Sequence, residues 1–361
     1  MGLFSFNDKK IIIDIGTYFT KAVVVEEKLE NGAKINFSIE PSGFQLDFSP
    51  LQESKVEDEE NFIETLRLAY SRLKTMEKNV FINIPDHFVV IRLITLKPEE
   101  HKGISSKENL ENAVLKKLKP SLPVNIDRWF FDMQMVDEID GNKIFLVEAM
   151  LRSNLFEIER LVRKIGLNPV GVDINSFNCS NLFADYFEKK GNHEKNISLV
   201  CINNKSTTIM IFRNGNLRTA QTRLIGGEDL IKRIAEGKGI SIKDAAKVMQ
   251  EETVFLPELA EQQDLIENYR YIKEVYSELI ISLFNMFEYY TENFKESEIH
   301  EVIITGGLSN MNNIAENLEA RLNIPVIRGS DLKSFKDKDG NEISSEKVNI
   351  LASCVGSAFR E

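Results

Sequence analysis

The sequence predicts an α/β protein built from two related lobes, the first of which carries an inserted subdomain. Both halves of the chain begin with a hydrophobic strand, a tight polar turn and a second hydrophobic strand, at 11–25 and at 197–213. A further strand, 301–305, runs into the pair Gly306-Gly307 and then a helix. The 361 residues also exceed the roughly 250–300 residues at which a single core stops growing.

The first lobe is predicted to open on the hairpin 11–25, where β-branched residues crowd both arms and Gly16 marks the turn. A helix is predicted over 61–76, because apolar residues recur there at helical spacing. Those residues are Phe62, Leu66, Ala69 and Leu73. A strand follows at 80–84, and the strand 170–174 with the helix after it returns to the same lobe.

Residues 87–167 form a compact pattern that is predicted to be the inserted subdomain. Its predicted elements are strand 88–96, a helix near 105–119, strands 127–136 and 143–151, and a helix near 153–165. The turn Asp140-Gly141-Asn142 joins two of these strands. Gly166 ends the last helix, because glycine readily adopts the left-handed conformation that closes helices.

The second half repeats the opening pattern of the first, which predicts a shared topology. Asn214-Gly215 is a hairpin dipeptide between two of its strands. The predicted elements are strands 197–202, 207–213, 217–224 and 301–305, helical segments 228–252 and 258–293, helix 311–322, a charged loop or short hairpin 330–346, and a closing helix of about 347–359. The predicted division is a first lobe of 1–86 with 168–195, the insertion 87–167, a second lobe of 196–224 with 294–361, and a helical subdomain 225–293.

Composition limits the partners. A net charge of -11 argues against a general nucleic-acid surface, which needs a basic stripe. No signal peptide precedes Ile11, and no run reaches the roughly 20 apolar residues of a membrane span. We therefore expect a cytoplasmic protein that does not insert into a membrane directly. The cysteines, Cys179, Cys201 and Cys354, have no close pair and are predicted to be reduced core thiols.

Tight turns of this kind can hold a phosphate, because backbone N–H groups converge on an anion where glycine or asparagine permits a positive φ. In the first turn, Gly16 allows that conformation, Thr17 offers an N–H and a hydroxyl, and Lys21 can reach a phosphate as a point charge. Asp14 could hold a hydrated Mg²⁺. Taken alone, these residues fit a plain hairpin equally well. Two glycines after strand 301–305, at the start of a helix, favour a phosphate-binding cleft.

The three elements, in this order, resemble the phosphate-1, phosphate-2 and adenosine motifs of the actin, heat-shock chaperone and sugar-kinase superfamily. In detail they are similar to the PilM family of type IV pilus assembly proteins, relatives of the cell-division protein FtsA. The matching stretches are Gly2-Leu3-Phe4, Val172–Phe177, Leu224–Gly227 with Leu230, Thr305–Gly307 and Val355–Arg360. The resemblance implies an α/β, two-lobed actin-like ATPase (ribonuclease H-like) fold with an FtsA/PilM-type inserted subdomain.

The resemblance also implies that the cleft binds ATP or ADP with Mg²⁺, the metal being held by Asp14 through water. The implied nucleotide-binding residues are Asp14, Gly16, Thr17, Lys21, Asn203, Asn204, Ser206, Gly226, Gly227, Gly306, Gly307 and Leu308. The chain departs from the family where the second hairpin, usually Asp-Ile-Gly, reads Cys201-Ile202-Asn203, and where Leu308 replaces a glycine. A thiol cannot replace a carboxylate beside a hard cation. We therefore expect nucleotide binding with weak or absent hydrolysis, and assign no catalytic residue.

By resemblance, the chain is an assembly scaffold at the inner face of the cytoplasmic membrane. The implied partner is the short cytosolic N-terminal tail of a PilN-like single-span protein, and the implied contacts extend to pilus motor ATPases and to further copies of the chain. Trp129, Phe130 and Phe131 are consecutive on one predicted strand, so they must face both of its sides. We expect them to supply aromatic anchors for the tail.

Two alternatives stay open. An FtsA-like division protein is expected to carry a linker and an amphipathic membrane helix at its C-terminus, whereas this sequence stops directly after the closing helix. A small-molecule kinase on the same fold would use Asp173 as the base that accepts a hydroxyl proton. That kinase would need acidic residues in both hairpins, and Cys201 argues against it.

Overall fold

The computed structural model describes residues 10–104, 106–122, 126–253, 255, 263–294 and 298–360. Its strands are β1 (Ile11–Ile15), β2 (Phe19–Leu29), β3 (Gly32–Pro41), β4 (Asn79–Ile84), β5 (Val90–Leu96), β6 (Trp129–Ile139), β7 (Asn142–Leu151), β8 (Asn168–Ile174), β9 (Ile197–Ile202), β10 (Thr207–Arg213), β11 (Asn216–Arg223), β12 (Glu301–Thr305), β13 (Val326–Arg328) and β14 (Ser334–Lys336). Its α-helices are α1 (Glu59–Arg72), α2 (Pro98–His101), α3 (Lys107–Leu118), α4 (Arg152–Lys164), α5 (Asn175–Glu188), α6 (Gly227–Lys238), α7 (Ile242–Glu252), α8 (Gln263–Phe294), α9 (Ile314–Leu322), α10 (Gly329–Leu332) and α11 (Ser345–Ser357). The predicted stretches Gly2-Leu3-Phe4 and 258–262 lie outside the described residues. None of the described helices is long and apolar enough to cross a bilayer.

The first lobe is built on a sheet whose described strands run in the order β14-β3-β2-β1-β4-β8. β1 pairs antiparallel with β2 and parallel with β4. All five residues of β1 are buried, and the helices α1 and α11 both pack on this sheet. Four of the five residues of β1 are isoleucine, because a strand covered on both faces needs apolar residues on both.

The C-terminal segment that contains β14 and α11 completes the first lobe, although the sequence pattern predicts all of 294–361 in the second lobe. β14 pairs in parallel with β3, placing Phe335 opposite Ala33. α11 packs along α5 and contributes to the core of the first lobe. A Cβ on Gly356 would lie 1.8 Å from the carbonyl oxygen of Asn178, so this glycine permits the close approach of the two helices. Helical periodicity predicts α11, but it does not indicate which sheet the helix covers.

The second lobe is built on the described strands β11-β10-β9-β12-β13. Its hairpin turns at Asn214-Gly215, with φ of 54° and 74°, as the dipeptide predicts. α6 ends at Gly239, in the left-handed conformation with φ 65°, which divides the predicted segment 228–252 into α6 and α7. The four helices α6, α7, α8 and α9 pack on this sheet around a core of their own.

The inserted subdomain is an antiparallel sheet in the order β5-β7-β6, with α3 packed around Trp129. The turn between β6 and β7 uses Asp140 and Gly141, with φ of 50° and 76°. α4 belongs by packing to the first lobe instead. It contacts α1 and β8, and Leu161 lies in the first-lobe core. The inserted sheet also contacts the second lobe, where β11 packs against β5 and β6.

Candidate functional site

A cleft of about 760 Å³ lies between the two lobes, within the usual range of about 300–1,000 Å³ for small-molecule sites. Both hairpin turns, the loop after β12 and the start of α11 line it. The predicted residues that line it are Gly16, Thr17, Lys21, Asn203, Asn204, Ser206, Gly227, Gly307 and Leu308. Asp14, Gly226 and Gly306 lie behind this surface and support it.

The first turn is closed by short contacts around Gly16. A Cβ there would lie 2.2 Å from the carbonyl oxygen of Phe19, so only glycine fits. The hydroxyl of Ser42 donates to the carbonyl oxygen of Gly16 at 2.7 Å. The amide of Asn204, in the second turn, donates to Thr17 Oγ1 at 3.1 Å. The two turns therefore meet directly across the cleft.

Asp14 is fully buried beneath the first turn. Lys21 Nζ lies 2.7 Å from its Oδ2, and the Ser353 hydroxyl donates to the same oxygen at 2.7 Å. Asn175 Nδ2 donates to Oδ1 at 3.3 Å. Burial is the largest single influence on the pKa of Lys21 and lowers it, but the charge and hydrogen bond of Asp14, together with smaller contributions from Cys354 and Cys179, raise that pKa overall. The carboxylate and the ammonium thus neutralise each other at the base of the cleft.

The second turn rests on the start of α6. The N–H of Asn203 donates to the carbonyl oxygen of Ser206 at 3.0 Å, which closes the turn. The N–H of Gly227 donates to Asn203 at 3.0 Å, and the N–H of Glu228 donates to Asn204 at 2.8 Å. A Cβ on Gly226 would lie 2.3 Å from the Asn204 carbonyl oxygen. The predicted pair Gly226-Gly227 therefore supports the turn by close packing. The N–H groups of Gly227 and Glu228 are already used in hydrogen bonds to the turn.

The two glycines after β12 have different roles. Gly306 has φ 91°, and a Cβ there would lie 2.6 Å from the carbonyl oxygen of Ile202, so this residue lets β12 end against β9. A Cβ on Gly307 would meet nothing within 4 Å, and Gly307 lines the cleft. Gly307 is therefore the position at which a ligand can approach the backbone.

Part of the cleft wall is apolar and is not predicted by any motif. Ile231 of α6, Ala246 and Met249 of α7, and Met311 line it beside Leu308. Such a wall suits the flat face of a nucleobase. In the sequence these side chains have the spacing of ordinary core residues, and only the predicted Leu308 stands in a recognisable motif.

Buried polar groups lie behind the second turn. Burial raises the pKa of Asp86 to about 6, against the hydrogen bonds that Ser176 donates. Burial, with the Lys205 charge second, lowers the pKa of His87 to about 4. The His87 Nδ1 lies 3.5 Å from the hydroxyl of Ser206. At neutral pH the imidazole is therefore uncharged at the cleft wall.

The donor set does not fit a divalent cation. Both oxygens of Asp14 already accept hydrogen bonds or contact Lys21. Cys201 is 1% exposed, and burial, then Cys179, raises its pKa, which keeps the thiol protonated. Among the described ranges, no three His, Cys, Asp or Glu side chains are grouped as metal ligands. Asp14 is also fully buried and does not line the cleft, so the arrangement does not favour its predicted contact with a hydrated Mg²⁺, which keeps a bulky shell of water.

The three aromatic residues of β6 lie in different environments. Trp129 is fully buried in the core of the inserted subdomain, which corrects the prediction that it anchors a partner. Phe131 is partly buried against the same core. The Phe130 ring lies 5.6 Å from that of Phe156 and 4.1 Å below the Arg152 guanidinium. Phe156 is 53% exposed, so this pair, and not Trp129, offers an aromatic surface.

β6 of the inserted subdomain and β8 of the first lobe are edge strands of their sheets, and the surface between Asp132 and Asp173 on these strands is named the groove. Arg360 joins them, with Nη1 2.5 Å from Asp173 on β8 and Nη2 3.6 Å from Asp132 on β6. Burial, then Asp132 and Asp173, raises the pKa of Glu148 on β7 to about 8. Lys10 is the other cation near Asp173. At neutral pH, below that pKa, Glu148 is uncharged, so the carboxylates of Asp132 and Asp173 face the cations Arg360 and Lys10.

Comparison with known proteins supports the fold. Residues 12–359 match the family model described as type IV pilus assembly protein PilM. The solved structure titled PilM-PilN type IV pilus biogenesis complex superposes with a TM-score of 0.77 at 16% identity, covering 98% of this chain and 99% of that chain. Ethanolamine utilization protein EutJ from Carboxydothermus hydrogenoformans has a TM-score of 0.53 at 12% identity, covering 98% of this chain and 89% of that chain. MreB 5 of Spiroplasma citri bound to AMPPNP has a TM-score of 0.53 at 13% identity, covering 98% of this chain and 96% of that chain. No curated protein matches the chain. The predicted two-lobed, actin-like fold is confirmed.

Proposed function

The chain belongs to the type IV pilus assembly protein PilM family, and from this premise we propose that it is a cytoplasmic scaffold of the inner-membrane platform of a type IV pilus or a related secretion system. It binds the cytosolic tail of a PilN-like membrane protein, and it holds ATP or ADP as a structural or regulatory ligand. The observation that carries the proposal is the family match over 12–359.

The cleft supports nucleotide as the ligand. Gly307 exposes backbone with open space beside it, and the two turns meet where Asn204 contacts Thr17. The phosphates lie between these turns, and the base lies against the apolar wall that includes Met249. One of the structural neighbours is described as bound to AMPPNP, which agrees with this assignment.

The same site disfavours turnover. Hydrolysis of a phosphoanhydride depends on positioning the attacking water and on neutralising the charge that develops in the transition state. Cys201 supplies no carboxylate, and the carboxylate of Asp14 is paired with Lys21. We therefore assign the nucleotide a role in holding the two lobes together.

The groove between β6 and β8 supports an extended peptide as the partner. An open sheet edge offers main-chain hydrogen bonds to such a peptide. The cytosolic flank of a membrane span is enriched in lysine and arginine, and such residues can pair with the carboxylates of Asp132 and Asp173 in the groove. The exposed ring of Phe156, beside Phe130, offers an aromatic anchor. Contacts with motor ATPases and self-association are assigned to other surfaces of the scaffold.

Vesicle sedimentation tests the partner. Purified protein is mixed with vesicles that carry the N-terminal tail of the PilN-like protein of the same organism, and with bare vesicles of the same lipids. We expect sedimentation only with the tail. Asp132→Lys should weaken it by about tenfold, because it replaces a carboxylate of the groove. Glu138→Lys, an exposed acid farther along β6, is the matched control. Strong sedimentation with bare vesicles, or an unaffected Asp132→Lys variant, contradicts the proposal.

Neither alternative function is favoured. Asp173, the candidate base of a kinase, lies in the groove beside Arg360 and does not line the cleft. An FtsA-like role has no support from the family match, which names the pilus assembly family.

A further inference from the structure

We propose that Lys205 neutralises the phosphates of the bound nucleotide, and that this cleft binds nucleotide without a divalent cation. The inference rests on the proposed function, since it assumes that the cleft takes a nucleotide. It assigns a phosphate-binding role to Lys205, which no motif indicates.

Asp14, the carboxylate at the base of the site, is fully buried, does not line the cleft, and has both oxygens engaged by neighbouring side chains. Mg²⁺ binds through oxygen ligands in a near-octahedral shell and keeps much of its water. To bind Oδ2 of Asp14, it would have to displace Lys21 and Ser353, each at 2.7 Å. To bind Oδ1, it would have to displace Asn175, at 3.3 Å. At the place of a second carboxylate stands Cys201, a buried thiol that does not serve a hard cation.

Lys205 supplies positive charge at the opposite wall. It stands in the second turn and lines the cleft. Its ammonium contacts Asp47 Oδ1 at 2.5 Å and lies 3.8 Å from Glu228 Oε2. It also donates to the carbonyl oxygen of Leu46 at 3.3 Å. The Asp47 side chain is 70% exposed, and ion pairs with exposed partners contribute little to stability.

A polyphosphate is a stronger partner for this ammonium than one exposed carboxylate. Charge-assisted hydrogen bonds to phosphate are among the strong ones, and the flexible four-carbon stem of lysine allows the group to turn toward the ligand. The other cleft cation, Arg328, is held by two hydrogen bonds to Glu316, at 3.2 and 3.0 Å. Lys205 is therefore the side chain best placed to replace a metal ion at the phosphates.

Calorimetric titration of the full chain with ATP and with ADP tests the inference, once in excess EDTA and once in excess Mg²⁺. We expect the Kd of the unaltered protein to differ by no more than about threefold between the two buffers. Lys205→Ala should weaken binding by about tenfold in both, through the lost charge-assisted contact. Lys232→Ala is the matched control, because Lys232 also pairs with Glu228, at 2.6 Å, but does not line the cleft. Lys205→Arg, which keeps the positive charge, should retain most of the nucleotide affinity of the unaltered protein.

Three outcomes overturn the inference. If ATP and ADP bind only with Mg²⁺, nucleotide binding stands and the metal-independent mode is wrong. If Lys205→Ala binds as tightly as the Lys232→Ala control, nucleotide binding stands and the role of Lys205 is wrong. If neither nucleotide binds in either buffer, the proposed nucleotide role fails and the inference fails with it. Thermal unfolding of each variant shows that the fold is retained, and the comparison of buffers on the unaltered protein needs no substitution.

Discussion

The guanidinium of Arg218 on β11 forms an ion pair with the carboxylate of Asp137 on β6, and the two side chains are only 7% and 9% exposed. The pair connects the second lobe to the inserted subdomain. Asn216 Nδ2 also contacts Asp137, at 3.3 Å. The subdomain that borders the peptide groove is therefore fixed to both lobes of the cleft, and a movement of one lobe relative to the other must involve this contact.

Arg218→Ala should destabilise the protein by about 3–5 kcal/mol, because it leaves the buried Asp137 carboxylate without its partner. Urea unfolding measures the change. The double variant Arg218→Met with Asp137→Leu removes both charges and should recover most of the loss. A single variant that costs less than about 1 kcal/mol would show that solvent reaches this pair.

Gly307→Asp should abolish nucleotide binding and leave the melting temperature nearly unchanged, because its side chain points into open space in the cleft and carries charge toward the phosphates. Calorimetry with ATP measures the effect. Gly43→Asp is the control, since Gly43 is exposed and has only an ordinary contact, at 3.8 Å. Gly306→Ala should instead destabilise the fold, through a clash with Ile202. Retained ATP affinity in Gly307→Asp contradicts the assigned cleft.

Trp129→Ala should cost about 3–5 kcal/mol of stability by opening a cavity in the inserted subdomain. Phe130→Ala should cost less, because that ring is only partly buried, and it should weaken tail recruitment. Urea unfolding and vesicle sedimentation of the two variants separate these effects. If Trp129→Ala has normal stability but no longer sediments with the tail, Trp129 contacts the partner, as the sequence predicts.

Asp86→Asn should become more stable relative to the unaltered protein as the pH rises from about 4 to 7. The pKa of Asp86 is raised from 3.8 to about 6 in the folded state, so the folded protein binds the proton more tightly and loses stability as the pH rises through that window. Over this pH range, the difference in free energy of unfolding between Asp86→Asn and the unaltered protein should shift by about 3 kcal/mol. His87 has a pKa near 4 in the folded protein, so its contribution to stability rises between pH 4 and its ordinary pKa of 6.5. Variant and parent share this contribution, which therefore cancels when their stabilities are compared. Unfolding in urea at several pH values measures the difference, and a constant difference contradicts it.

Local pattern predicts most elements of this chain, because strands such as 301–305 and turns such as Asn214-Gly215 depend on their own residues. The two-lobed fold also follows from the repeated hairpin. The sequence does not indicate which surfaces meet. Gly226 and Gly306 stand in cleft motifs, but they serve the packing of one backbone on another. The apolar wall at Met249 has no motif, because a ligand-facing methionine has the same spacing as one in a core.

The pairing of β14 with β3 has a consequence for synthesis on the ribosome. The sheet that begins at Ile11 receives its edge strand at 334–336 and its covering helix at 345–357. Chains emerge from the N-terminal end and tend to fold domain by domain, but this lobe cannot close before more than three hundred further residues have been made. The apolar surface that α11 covers stays exposed during that interval. Until α11 has been made, the nascent chain therefore presents apolar surface of the kind that chaperones bind.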